Sequence, residues 1–320
     1  MLDDRCPILY PFISHPTLHK MKHFGVIDLG TNTFHLLIVK HNAAGSFDEL
    51  HRERRFIKLA ENGIEKIGSA PFQRGLQTLI DYKKILDKFQ VKDFKALGTA
   101  ALRRANNGQE FIQEVKAQTG ISIQLISGNE EAELIHKGVS QAVPFGQSKN
   151  LIMDIGGGSV EFIICDKAQI FWKQSFPIGV AVLFNNFHTS DPIHVNEVLE
   201  IEQHLQKTLR PLLQELEKHE VQSLIGASGT FDVLENILVE EKASPVHSYL
   251  SDQKFNQLYP IILNSTLAER YAMEGLPATR ADLIVVANIL IDFILKQTGI
   301  KEIIVSAYAM KEGQLVKMMF

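Results

Sequence analysis

The 320-residue sequence predicts an α/β fold built twice around a cleft. Two observations carry this. One pattern, an apolar run ending in Asp, a short Gly/Thr/Ser turn and a second apolar run, is written twice: "GVIDLGTNTFHLLIVK" at 25–40 and "LIMDIGGGSVEFIICD" at 151–166. Asp28 and Asp154, Gly30 and Gly156, and Thr33 and Ser159 each stand 126 positions apart. After each copy, strand-like runs alternate with segments of helical spacing, the order of an α/β chain.

Element by element, residues 24–29 and 34–40 read as strands around a turn, and "DELHRERRFIKL" as a continuing β region with a basic cluster. In 72–90, Leu76, Leu79, Ile80, Ile85, Leu86 and Phe89 recur at helical spacing. "FKALGTAALRRA" is a strand, a turn and a helix start; "NNGQEFIQEVKAQTG" is a helix entered through Asn107 and closed by Gly120. The strand "ISIQLIS" leads into the helix "GNEEAELIHKGVSQAV". Pro144 and Gly146 mark the junction, dividing residues 21–145 from 146–320. The second copy opens with a strand pair, then a long helix near 195–217, the strand and turn "SLIGASGT" and the helix "FDVLENILVEE". "GLPATRADLIVVA" puts Thr279 at a helix N-cap with Asp282 at the third helical position. "ADLIVVANILIDFILK" reads as a buried helix, too short and polar for a membrane span. The chain closes on a strand, a turn and a helix at about 309–320, placed to pack back on the first half.

The apolar fraction of 45% and charged fraction of 22% are those of an ordinary globular protein. A net charge of −4 gives no global attraction to nucleic acid or membrane, so any polyanion must meet a local patch. Two cysteines, Cys6 and Cys165, form no disulfide framework, and a cytoplasmic location is expected. Residues 1–20, acidic at the start and carrying Pro7, Pro11 and Pro16, make a poor secretory signal and read as an extension outside the fold.

Glycines in "DIGGGS" let backbone N–H groups approach a phosphate, and Ser159 adds a hydroxyl. Asp154 at the strand end can hold a hydrated Mg²⁺. No Lys follows the glycines, so this is not a Walker-type loop. A tight hairpin alone explains one such turn; two at equivalent places point to facing clamps, Gly30–Thr31–Asn32–Thr33 and Gly156–Gly157–Gly158–Ser159. Ser228, Gly229 and Thr230 lie where a strand meets a helix, fitting either a plain N-cap or an anion site. Ser127 and Glu130 form a capping box, leaving Glu131 either as a solvated first-turn acid or as a base for water. Of Arg103 and Arg104, at most one serves a site, because neighbours on a helix diverge. Arg52, Arg54, Arg55 and Lys58 are either a solvated edge strand or a polyanion track. The histidines lack metal-ligand spacing, and Cys165 reads as packing.

Taken together, "VIDLGTNTFHLLIV", "ALGTAALRRANN", "ISGNEEAELIHKGV", "LIMDIGGGSVEFI", "LIGASGTFDVL", "MEGLPATRADLIVVANILI" and "VSAYAMKEGQL" resemble, in order, the exopolyphosphatase / guanosine pentaphosphate phosphohydrolase family over residues 24–318. The resemblance implies two actin-like (ribonuclease H-like) ATPase-superfold domains with a phosphate cleft between them. It implies Mg²⁺-dependent hydrolysis, with Mn²⁺ as the alternative ion, of a terminal phosphoanhydride of inorganic polyphosphate or of the 5′-terminal phosphate of guanosine pentaphosphate. By the same resemblance Glu131 is the catalytic acid/base, Arg103 contacts phosphate, and Asp154 and Asp28 are the metal-site carboxylates. Departures exist: "AMKEG" stands where the family writes Gly-Leu-Arg-Glu-Gly, so Lys311 keeps the charge but loses the bidentate fork. "KLAENG" replaces Leu-Gly-Glu-Gly, and the helical C-terminal domain of long members is not expected here. A kinase or ATPase on the same fold and a non-catalytic phosphate sensor are the competing classes. No nucleic-acid or membrane partner is expected; homodimerisation is carried as an open expectation.

Overall fold

The computed structural model describes residues 22–42 and 47–320; the expected extension 1–20 lies outside the described residues. Strands β1 (His23–Leu29), β2 (Thr33–His41) and β3 (Phe47–Phe56) form an antiparallel meander. Helix α1 (Ser69–Lys88) crosses to β4 (Asp93–Gly98), parallel to β1. Helices α2 (Ala100–Arg104) and α3 (Gly108–Thr119) lead to β5 (Ile123–Leu125), giving the order β3-β2-β1-β4-β5. After α4 (Gly128–Ala142) the plan restarts. Strands β6 (Lys149–Ile155), β7 (Val160–Cys165) and β8 (Ile170–Phe176) form a second meander. Helices α5 (Val180–Phe187), α6 (Val195–Thr208) and α7 (Arg210–Leu216) precede β9 (Val221–Ala227). Next come α8 (Gly229–Leu238), β10 (His247–Ser251), α9 (Asp252–Asn264), α10 (Leu267–Ala272), α11 (Ile284–Thr298), β11 (Glu302–Ser306) and α12 (Met310–Met319). The second sheet runs β8-β7-β6-β9-β11, the first sheet's plan, with β10 added antiparallel at the edge.

Several expectations are corrected. The long helix near 195–217 is two helices parting at Leu209, because Pro211 has no N–H to continue the first. Helix α3 is entered through Asn107, as expected; its amide also clamps Ile67, accepting from its N–H and donating to its carbonyl, both at 2.9 Å. Thr279 is not a helix N-cap. It lies in a 3-10 turn, Ala278–Arg280, entered from Pro277; α11 begins at Ile284, and Asp282 precedes it. Strands β8 and β10 and helices α5, α9 and α10 carried no distinct periodic signal in the sequence reading.

The halves are interlocked through their last helices. Chain order allots α4 to the first half, yet Leu134, Ile135 and Val139 share a core with Ile152, Ile163, Ile225 and Ile304 of the second sheet. Reciprocally, Leu315 of α12 packs on Phe24, Val26, Leu37 and Val39 of the first sheet. The two helices cross so closely that a Cβ on Gly138 would collide with the Ala309 carbonyl, and one on Gly313 with the Leu134 carbonyl. Small residues at both crossing points are what permit this approach. Helix α11 is buried along nearly its whole length; the Asn288 amide N–H donates to the Ile284 carbonyl at 2.8 Å, while its Oδ1 has no partner among the described residues. Among the described residues, no helix is long and apolar enough to cross a membrane.

Candidate active site

The two copied turns are superimposable in their bonding. Gly30 N–H donates to the Thr33 carbonyl and Gly156 N–H to the Ser159 carbonyl, each at 3.0 Å. A Cβ at either glycine would stand 2.9 Å from that same carbonyl oxygen. The turns also press on each other. A Cβ on Gly157 would meet the Asn32 amide at 2.7 Å, and one on Gly158 would meet the Thr31 hydroxyl at 2.7 Å. None of Gly156, Gly157 and Gly158 has positive φ. Gly157 and Gly158 are small because the facing turn comes so near, and Gly156 because its own turn's Ser159 carbonyl does, not because the hairpin needs a left-handed residue.

Between the turns lies a cavity of about 220 Å³. It is lined by Asp28, Gly30, Thr31, Asn32 and Thr33 from one turn and by Asp154 and Gly156 through Ser159 from the other. Glu131, Ser228 and Gly229 complete it. Two expected site residues do not line it. Thr230 is buried behind the start of α8. Arg103, expected to meet phosphate, stands behind Glu131: its Nη1 donates to the Ile126 carbonyl at 2.6 Å and to Glu131 Oε2 at 3.0 Å. Ser228 provides no side-chain cap to α8; its side chain hydrogen-bonds Asp154.

Strand register explains the rest of the wall. Asp28 opposes His35 across β1–β2, and His35 opposes Arg54 across β2–β3, so one row of alternate side chains points into the cavity. In the second sheet the corresponding row is Asp154, Glu161 and Ser175. Ser175 Oγ donates to Glu161 Oε1 at 2.6 Å. The duplicated hairpins have diverged in charge: the first supplies His35 and Arg54, the second Glu161. His35 and Glu161 were missed in the sequence reading, although the 126-residue spacing pairs them. Asp232, one turn into α8, was also missed; Arg280 and Lys311 line the cavity too. Of the basic cluster only Arg52 and Arg54 reach it. Arg55 pairs with Glu53 and Asp81, and Lys58 with Asp282 of the opposite half at 2.9 Å.

Electrostatically the wall is split. Burial pushes Asp28 up to about 6, with Lys311 opposing and Asp154 adding. Burial likewise lifts Asp154 to about 6 against the Ser228 hydrogen bond, and lifts Glu161 to about 7 with help from the Asp154 charge. Glu131 is raised well above the usual carboxylate range by burial and Glu161, with Arg103 opposing. On the other side, burial and the charges of Lys311, Arg54, Arg280 and Arg52 hold His35 well below its ordinary value. Burial, then the neighbouring Arg54, pulls Arg280 down to about 10. Two buried donors at the wall, Asn32 Nδ2 and Arg280 Nε, have no acceptor in the described structure. Unmet donors and carboxylates reluctant to ionise thus share one wall.

Two α/β halves of like topology around such a cavity define an actin-like ATPase-superfold protein. Residues 37–320 match the Ppx/GppA phosphatase family, and the chain belongs to that family, whose members are phosphatase-type hydrolases. An exopolyphosphatase from Cytophaga hutchinsonii is 40% identical and superposes with a TM-score of 0.90, over 93% of this chain and 98% of its own. The PPX-GPPA enzyme of Aquifex aeolicus is 25% identical with a TM-score of 0.76, over 93% and 99%. A further exopolyphosphatase-like protein, at 22% identity and a TM-score of 0.82, shares the fold.

Proposed function

We propose that the protein is an exopolyphosphatase that releases orthophosphate from the end of inorganic polyphosphate. The carrying observation is the cavity: about 220 Å³, with unmet donors at Asn32 and Arg280. That volume is below the roughly 300–1,000 Å³ that encloses a whole drug-sized ligand, so it suits the end of a chain better than an entire nucleotide.

Water attacks the terminal phosphorus in line: a P–O bond forms to the water oxygen, the bridging P–O bond breaks, and the shortened chain leaves as an anion. Glu131 orients the water and accepts its proton; Arg103 fixes the Glu131 carboxylate and opposes its protonation. Backbone N–H groups of the Thr31–Thr33, Gly157–Ser159 and Ser228–Gly229 segments hold the phosphoryl oxygens, with Lys311, Arg54 and Arg280 balancing charge. Asp154 and Asp28, with Glu161 beside them, offer the hard oxygen donors that suit Mg²⁺ or Mn²⁺. Among the described residues no three acidic or imidazole side chains converge closely enough to wrap a bare ion. This fits Mg²⁺, which keeps several waters and takes one or two carboxylates plus phosphate oxygens. When bound, the ion neutralises the phosphoryl oxygens.

The test is phosphate release from long polyphosphate, short polyphosphate and guanosine pentaphosphate, side by side, with Mg²⁺ or Mn²⁺ and with chelator. Polyphosphate is expected to be the better substrate, and Glu131→Gln to lower turnover on the order of 100-fold or more. Full activity in that variant removes Glu131 from the mechanism. A preference for guanosine pentaphosphate reassigns the substrate, and tight ATP binding by calorimetry with phosphoryl transfer reassigns the class.

A further inference from the structure

A second cavity, of about 270 Å³, lies on the far side of α4 from the active site, between α4, α12 and the edge of the first sheet at β4 and β5. Lys95, Lys137 and Lys317 line it from three elements, with Gln124 and Gln314. Two acids also line it, but both are engaged elsewhere. The Glu130 carboxylate accepts from the Ser127 N–H at 2.7 Å and the Ser127 hydroxyl at 2.9 Å, and Glu133 is paired with Lys173 at 2.5 Å. None of the three lysines forms a salt bridge among the described residues, although the Lys317 charge helps keep Glu130 ionised. Gln314 is only 6% exposed and faces this cavity, yet its amide makes no hydrogen bond among the described residues. Its amide N and O are not sealed from solvent, so the group is open to a ligand entering the cavity.

We propose that this cavity is a second binding site for a compact phosphorylated anion, held by Lys95, Lys137 and Lys317 and by the Gln314 amide. Three ammonium groups and an amide donor match the several acceptor oxygens of phosphate. The occupant also has a route to the chemistry. Ile126 lines the cavity, and its carbonyl holds the Arg103 that pairs with Glu131. Occupancy therefore bears on the Glu131–Arg103 pair. The ligand is orthophosphate, the expected product, or a short oligophosphate.

Calorimetric titration of the full-length chain carrying Glu131→Gln, with orthophosphate and separately with tripolyphosphate, tests the site without consuming the probe. Two saturable equivalents per chain are expected for at least one probe. Adding Gln314→Leu with Lys317→Glu removes one equivalent or weakens it at least tenfold. Adding Arg54→Glu instead affects the other. The exposed pair Lys95→Glu and Lys137→Glu repeats the first result without touching a buried residue. A single equivalent, non-saturating binding, or two equivalents unchanged in the lysine variants overturns the site; which probe binds identifies the source of the anion. The coupling is read in otherwise wild-type chains. Filling the cavity changes kcat about twofold or more, while competition by product in the cleft changes KM alone, and Lys317→Glu abolishes the kcat response. An unchanged response overturns the coupling. This arm rests on the phosphatase reading, whereas the binding arm stands without it.

Discussion

Replacing Asp154 with Asn should make the metal-free protein more stable while abolishing activity. Asp154 is 6% exposed, and burial moves its pKa from 3.8 to about 6 against the opposing hydrogen bond from Ser228. At about 1.4 kcal/mol per pH unit, keeping this carboxylate ionised in the fold costs about 3 kcal/mol above pH 6. Because the folded-state pKa is the raised one, the wild type is most stable below about pH 4. It loses this increment as the pH rises through about 6, and is level above. Asn has no charge to desolvate and can still accept from Ser228. Calorimetry in chelator should therefore find Asp154→Asn more stable by about 3 kcal/mol at pH 8, roughly 5 °C in Tm, with the advantage shrinking toward pH 4. Saturating Mg²⁺ should then stabilise the wild type, by about 2.7 kcal/mol at a hundredfold excess over Kd, and the variant by much less. A variant no more stable than wild type at pH 8 in chelator would refute the claim that this carboxylate is held against its solvation preference.

Other outcomes follow from single contacts. Arg103→Met leaves Glu131 buried without its counter-charge, so the acid limb of the kcat/KM profile should move to higher pH; an unmoved limb separates Arg103 from Glu131. Lys311→Met removes a cation whose charge favours the ionised forms of Asp28 and Asp154 at the cavity wall. It should raise KM for polyphosphate roughly tenfold and flatten its salt dependence, read from initial rates at several ionic strengths. Gly313→Ala drives a methyl into the Leu134 carbonyl at the α4–α12 crossing and should cost about 1–3 kcal/mol by denaturant unfolding. Lys58→Ala breaks a half-exposed pair with Asp282 and should change stability by less than about 1 kcal/mol in the same assay.

How much of this was legible in the sequence depended on whether the information was local. The capping box of Ser127 and Glu130 needs only four residues, and it stands as read. So does the left-handed Gly120 that closes α3. The expected role of Thr279 failed because a capping residue type announces only its ability to accept a backbone N–H. A 3-10 turn after Pro277 decided otherwise. Arg103 and Glu131 lie 28 positions apart, and no local pattern says that one stands behind the other.

By itself the sequence determined that two Asp-led turns recur 126 residues apart, and therefore that the fold is doubled with a glycine turn in each half. Periodicity also determined most of the helices that separate the strands. Tertiary structure alone decided which side chains share the cleft, since cross-strand register aligns Asp28 with His35 and Arg54 in one sheet, and Asp154 with Glu161 and Ser175 in the other. It alone decided that α4 packs on the second half's sheet, because an amphipathic face records that it must be buried but not against what. The charges of the active site likewise belong to the fold. A carboxylate is ordinary in the chain and becomes reluctant to ionise only when burial strips its water and sets another carboxylate beside it.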